Sequence, residues 1–139
     1  MKKLLLLSCI VFMFGCDKND DNGKDEEYPV DCTMPPSLID FMESMGYPHT
    51  ILPSYTAGEK IGCGGLIITN PDNEIIAFDA ACPVEWTRTI ILRTYDISSF
   101  IVECEVCGNR FLLKEGGVSE NNKSLKMKKY KVNGNRVTN

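Results

Sequence analysis

Cys104-Glu105-Val106-Cys107-Gly108-Asn109-Arg110-Phe111 decides how this chain is read. A C-x-x-C followed at once by Gly lets two thiolates converge from one tight turn, because Gly takes the positive φ that makes room for a bound centre. Upstream, Cys82-Pro83-Val84 supplies a third thiol, with nineteen residues between Val84 and Cys104. One such knuckle with a lone upstream Cys signals a metal or redox site. A thioredoxin-like redox pair is set aside, since that motif opens a helix and Gly108-Asn109-Arg110-Phe111 leads into a strand.

Outward from this stretch the pattern is of short strands. Gly65 to Asn70 and Glu74 to Asp79 are rich in Ile and flank the turn-forming Asn70-Pro71-Asp72-Asn73, which reads as a hairpin. Centring it between Pro71 and Asp72 sets Cys63 opposite about Ala80, and so near Cys82. Thr89 to Tyr95 and Phe100 to Glu103, joined by Asp96-Ile97-Ser98-Ser99, lead into the knuckle, and Arg110 to Lys114 leaves it. After the Gly116-Gly117 turn, Lys126 to Val132 and Arg136 to Val137 close a hairpin around Asn133-Gly134. Ahead of these, Tyr28 to Tyr55 is broken by Pro29, Pro35, Pro36, Pro48 and Pro53, which favour extended or turn conformations. One helix fits there: Leu38, Phe41, Met42 and Met45 recur at helical spacing, with Ser37 as N-cap, Gly46 as stop and the apolar face packed on the domain. No internal repeat or helical crossover is present. The expectation is an all-β antiparallel sandwich or barrel with one short N-terminal helix.

At 139 residues, with 43% hydrophobic and 24% charged content, the chain allows one globular domain. Met1-Lys2-Lys3 and the apolar run from Leu4 to Gly15 read as a signal peptide over 1–15, too short for a membrane span of about 20 residues. Phe14-Gly15-Cys16, followed by Asp17, resembles the lipobox of bacterial lipoproteins. That resemblance implies lipidation of Cys16 and a cell-envelope location, facing the periplasm or the cell surface. Asp17 to Asp31 carries seven acids against two lysines, and a stretch so poor in apolar side chains reads as a flexible tether over 16–31. A Pro-rich lead-in over 32–57 and the β domain over 58–139 follow. Lys123 to Asn139 carries six bases and no acid. In an acidic exported protein, of formal net charge −4, such a strand reads as a solvated face and not as a nucleic-acid patch.

Together, Ala77-Phe78-Asp79-Ala80-Ala81-Cys82-Pro83, Cys104 to Phe111, Gly116-Gly117-Val118, Leu125 and Tyr130-Lys131-Val132 resemble the Rieske [2Fe-2S] domain. The likeness spans about Gly58 to Asn139. It implies an all-β fold with a small subdomain of two knuckle loops. A Rieske centre takes C-x-H from the first loop and C-x-x-H from the second, so that two imidazoles hold one of its irons. Here Val84 stands at the first His position and Cys107 at the second, and the one His of the chain, His49, lies in the lead-in.

Three chemistries stay open for these thiols. Cys82, Cys104 and Cys107, joined by Cys63, can make a closed four-thiolate site for zinc, or for iron or an all-thiolate [2Fe-2S] cluster. Cys82 bridged to Cys104 or Cys107 makes a disulfide outside the cytoplasm, and the third course is unligated thiols. With Cys16 lipidated five other cysteines stay in the mature chain, and Cys32 is the candidate for a bridge to Cys63 or for the odd thiol. No nucleotide loop, no Ser-His-Asp set and no small-molecule substrate motif is found. The expected protein is a non-enzymatic envelope lipoprotein with a structural Cys site. Its alternatives are an electron-transfer domain and a module that presents its loop tips to an envelope partner.

Overall fold

The computed structural model of the chain describes residues 28–53 and 60–139. The signal peptide, Cys16 and most of the acidic tether lie outside the described residues, as does the expected domain start at 58.

At the centre lie β3 (Gly65–Thr69) and β4 (Ile76–Asp79), an antiparallel pair buried along its whole length. Ile67 and Phe78 enter one core, Leu66, Ile68 and Ala77 another on the opposite face. Covering both faces is why these strands read as unbroken apolar runs without polar alternation. Their turn takes six residues, Asn70 to Ile75, where four were expected. Pro71–Asn73 forms a 3-10 turn, with Asp72 and Asn73 at φ 53° and 62°. Leu66 therefore faces Asp79, two residues along from the expected register. A two-residue displacement leaves every side chain on its own face.

β9 (Lys129–Asn133) pairs with β4 through Ala77 and Tyr130, and β10 (Arg136–Thr138) folds back on β9. Gly134-Asn135 makes the turn, one residue later than expected, with Gly134 at φ 60°. The lead-in contributes more than turns. β1 (Asp31–Thr33) adds to β10 and β2 (His49–Pro53) adds to β3, giving the order β1-β10-β9-β4-β3-β2. Both are edge strands, where Pro at a strand end costs no ladder bond.

The expected helix is present as α1 (Ser37–Met45), stopped by Gly46 in the left-handed region at φ 68°. Pro36, not Ser37, occupies the N-cap position, and no side chain caps the helix. The apolar stripe is used in part: Met42 is buried and Leu38 and Ile39 pack beside it, while Phe41 and Met45 stay half exposed. Phe41 meets Tyr47 edge-on, 6.1 Å between centroids, so its ring packs within its own connection and not in the core.

A second antiparallel sheet, β5-β6-β7-β8, comprises Arg93–Thr94, Ile101–Glu103, Arg110–Leu112 and Val118–Ser119. The strand expected over Thr89 to Tyr95 is divided between the sheets. Ile91 bridges Ala81 and the Leu92 N–H donates to the Ala80 carbonyl, and only Arg93 and Thr94 ladder with β6. The strand leaving the knuckle likewise ends at Leu112, where Leu113–Glu115 forms a 3-10 turn. Gly117 closes that turn at φ 73°, and a Cβ there would come 2.9 Å from the Phe78 ring, so no larger residue fits. The domain is thus all-β, two antiparallel sheets with one short helix.

His49 ties the sheets at one edge, its Nε2 sharing a 3.0 Å hydrogen bond with Thr94 Oγ1. Burial lowers its pKa, against the opposing effect of the Ser99 carbonyl. Because the folded pKa lies below the unfolded value of about 6.5, the unfolded chain binds the proton more readily. Stability is full above that pH and is lost as pH falls below it. Urea midpoints measured between pH 7.5 and 5 should fall with pH, and fall less steeply in His49→Gln. Parallel profiles for the two proteins would remove His49 as the cause.

Candidate metal centre

Asp79, the last residue of β4, fixes the base of the first cysteine loop. Its buried carboxylate accepts the N–H groups of Cys63 (2.7 Å), Gly64 (3.0 Å) and Ala81 (2.7 Å), and the Tyr130 hydroxyl (2.5 Å). Four donors on one carboxylate satisfy a group that burial would otherwise penalise heavily. Burial, then the neighbouring Asp79, raises the Tyr130 pKa far above its ordinary value, so the phenol stays a donor. The glycines make room for this. A Cβ on Gly62 would lie 2.4 Å from Asp79 Oδ2, and one on Gly64 would lie 2.4 Å from the Ala81 nitrogen.

Cys82 follows three residues after Asp79 and opens a tight loop. The Trp86 N–H closes it onto the Cys82 carbonyl at 2.7 Å, which places Trp86 at φ 42°, a region that bulky residues rarely adopt. Trp86 is half-buried and stands edge-on to Tyr28, 6.4 Å between centroids. Cys104 opens the second loop, closed in the same way by the Gly108 N–H on the Cys104 carbonyl at 2.8 Å. One segment positions the two loops against each other. Ile90 accepts the Cys82 N–H through its carbonyl, and three residues beyond it Arg93 pairs with Glu103, next to Cys104. Arg110 braces the hairpin that carries the second loop, donating to Glu103 at 2.8 Å and lying 3.9 Å over the Tyr95 ring.

The sulfurs of Cys82, Cys104 and Cys107 all lie within 4.8 Å of one another. Cys82 and Cys104 are completely buried, Cys107 is half-buried, and the Cys82 to Cys107 separation is 3.6 Å. Burial pushes the Cys82 thiol up to about 12, although the N–H groups of Glu85 and Val84 face its sulfur. Cys107 moves the other way. Burial opposes the shift, but the Asn109 backbone N–H and side-chain amide, with Cys104 and Cys82, bring it below the ordinary thiol value. The Asn109 amide donates to Cys107 Sγ at 3.2 Å, and its oxygen accepts from the buried Ser119 hydroxyl at 3.4 Å. Such outer hydrogen bonds hold a metal-ligating sulfur in place.

Cys63 is not a member of this group, contrary to the four-thiolate expectation. The β3 ladder ends at Gly65, whose φ is 100°, and beyond it the Cys63 and Gly64 N–H groups turn onto the Asp79 carboxylate. Cys63 is buried there, on the Tyr130 side. Cys32 sits on β1, half-buried, opposite Val137 and forms no disulfide with Cys63. Val84 is half exposed at its loop tip and carries no lone pair. The sequence reading missed Asp79 and Tyr130 as the support of the site. The signal was an acid inside the apolar run from Ile75 to Ala81, a placement that demands buried donors.

Chemically, three convergent thiols are a soft donor set suited to zinc and similar ions. A Rieske centre does not fit these residues. No imidazole is near, since His49 lies on β2 bonded to Thr94. An all-thiolate cluster takes four cysteines, and the described residues bring together three. Comparison of the chain with family models, curated proteins and solved structures finds no match in any of the three.

Proposed function

We propose that Cys82, Cys104 and Cys107 hold one zinc ion that clamps the two loops of a lipid-anchored envelope protein, non-enzymatic by itself. The observation that carries the reading is the convergence of three sulfurs from two loops within 4.8 Å. Zinc has no directional d-electron preference and accepts thiolates at a tetrahedral centre, so it fits soft donors arriving from two sides. The ion takes the place of thiol protons, which offsets the cost of burying Cys82 and Cys104. The envelope location rests on the sequence from Met1 to Cys16. Kinship with the Rieske domain rests on the order of strands and of the two Cys loops, in a chain that keeps Cys82 and Cys104 but has Val84 and Cys107 at the two His positions.

A second reading is favoured by the 3.6 Å approach of Cys82 and Cys107. Closing it to about 2.0 Å would form a disulfide across the loops, in the oxidising compartment where such bonds persist. Elemental analysis, a visible spectrum and intact mass before and after reduction, on anaerobically isolated protein, test both. Zinc predicts about one ion per chain, no colour and an unchanged mass. Absence of metal with a gain of two hydrogens on reduction would replace zinc by the disulfide. A coloured, iron-containing protein would overturn both readings.

A further inference from the structure

The two cysteine loops share one turn geometry. In each, a fully buried Cys opens the turn, its carbonyl accepts the N–H of the fifth residue, and that fifth residue has positive φ: Trp86 at 42° and Gly108 at 70°. Each opening Cys also donates its own N–H to a carbonyl beyond the turn, Cys82 to Ile90 and Cys104 to Asn109. The third residues, Val84 and Val106, are both exposed valines, at 50% and 62%. The fourth residues are both half-buried, and they are Cys107 in one loop and Glu85 in the other.

From this repeat we infer that Glu85 supplies the fourth ligand, completing a site of three thiolates and one carboxylate oxygen. The inference rests on the zinc reading above. Two features of the loops support it. The fourth position of such a turn delivers its side chain to the same centre as the first, as Cys104 and Cys107 do in the second loop. The first loop pays for a Trp in the left-handed region to reach that same turn, a strain that a merely connecting loop has no use for. Carboxylate oxygen is an accepted zinc donor, with a lone pair that Val84, one residue earlier, cannot offer. The Glu85 carboxylate is not among the atoms that lie within 4.8 Å of one another. Ligation therefore takes a turn of its flexible side chain, with the backbone of the loop left as it is.

Cobalt(II) loaded in place of zinc into the full chain under anaerobic conditions reads the donor set directly, through its thiolate charge-transfer absorption. Glu85→Cys adds a fourth thiolate and should raise that absorption by about a third, four sulfurs in place of three. Glu85→Ala should weaken zinc binding by about 10-fold or more, in competition with a chelator. Val84→Cys, one residue away, should change neither. A wild-type chain that binds one metal, with unchanged absorption in Glu85→Cys and unchanged affinity in Glu85→Ala, would overturn the inference and leave the three-thiolate site with a water in its fourth position. The same gain in Val84→Cys as in Glu85→Cys would also overturn it. A wild-type chain that takes up no metal overturns the zinc reading and this inference with it.

Discussion

Asp79→Ala should destabilise the domain by about 3–5 kcal/mol, the largest effect of any single substitution considered. The carboxylate collects three backbone N–H groups and the Tyr130 hydroxyl in a buried pocket. Removing it orphans all four donors, at about 1–3 kcal/mol for each that water cannot reach. Water entering the vacated space rescues some of them, which sets the expected figure below the full sum. Tyr130→Phe is the internal control, because it removes one donor and leaves the other three bonded, at a cost of about 1 kcal/mol. Against a total stability of about 5–15 kcal/mol, the first change leaves a marginal fold and the second a sound one. Urea denaturation followed by circular dichroism separates them. Equal midpoints for the two variants would show that Asp79 is not the hub that its hydrogen bonds describe.

On the zinc reading proposed above, removing the ion should come next in size. An ion held at a free concentration 1,000 times its dissociation constant stabilises the folded state by about 4 kcal/mol. For a domain of this size that corresponds to a fall of about 15 °C in Tm on adding chelator. Cys104→Ser and Cys107→Ser should melt at the chelated temperature whether or not zinc is present. A wild-type melt that chelator leaves unmoved would show that the loops stand without an ion.

Local signals in the sequence carried much of the fold. Asn133-Gly134 marks the last hairpin to within one residue, and Gly46 marks the end of α1. The Ile-rich runs around Asn70-Pro71-Asp72-Asn73 place the central hairpin, because apolar β-branched strands flanking a turn leave few other choices. What stayed illegible depends on partners distant in sequence. β1 and β2 are strands because β10 and β3 offer them a free ladder edge, information that a Pro-punctuated segment does not itself contain. Phe41 and Met45 match the helical stripe yet stay half exposed, since spacing reports which side chains share a face but not how much of that face is covered.

At the site, Cys82, Cys104 and Cys107 were legible from the motif and its upstream thiol, and the structure brings them together. Cys63 stands outside the group of three sulfurs for a physical reason: extending a ladder past its last bonded pair assumes straight strands, and here the chain turns at Gly65 to serve Asp79. The hub itself was invisible to motif reading, because Asp79 and Tyr130 lie 51 residues apart and meet through the pairing of β4 with β9.

Both edges of the large sheet are formed by strands of the lead-in, β1 on one side and β2 on the other. A chain trimmed to begin at the cysteine domain would leave β10 and β3 with bare rows of N–H and C=O groups, β3 among them carrying Leu66, Ile67 and Ile68. Such edges recruit other chains by strand addition. The segment that reads least like a strand therefore covers the apolar β3 and leaves in its place short edge strands, β1 of three residues and β2 ending in Pro53, which are poorer templates for strand addition.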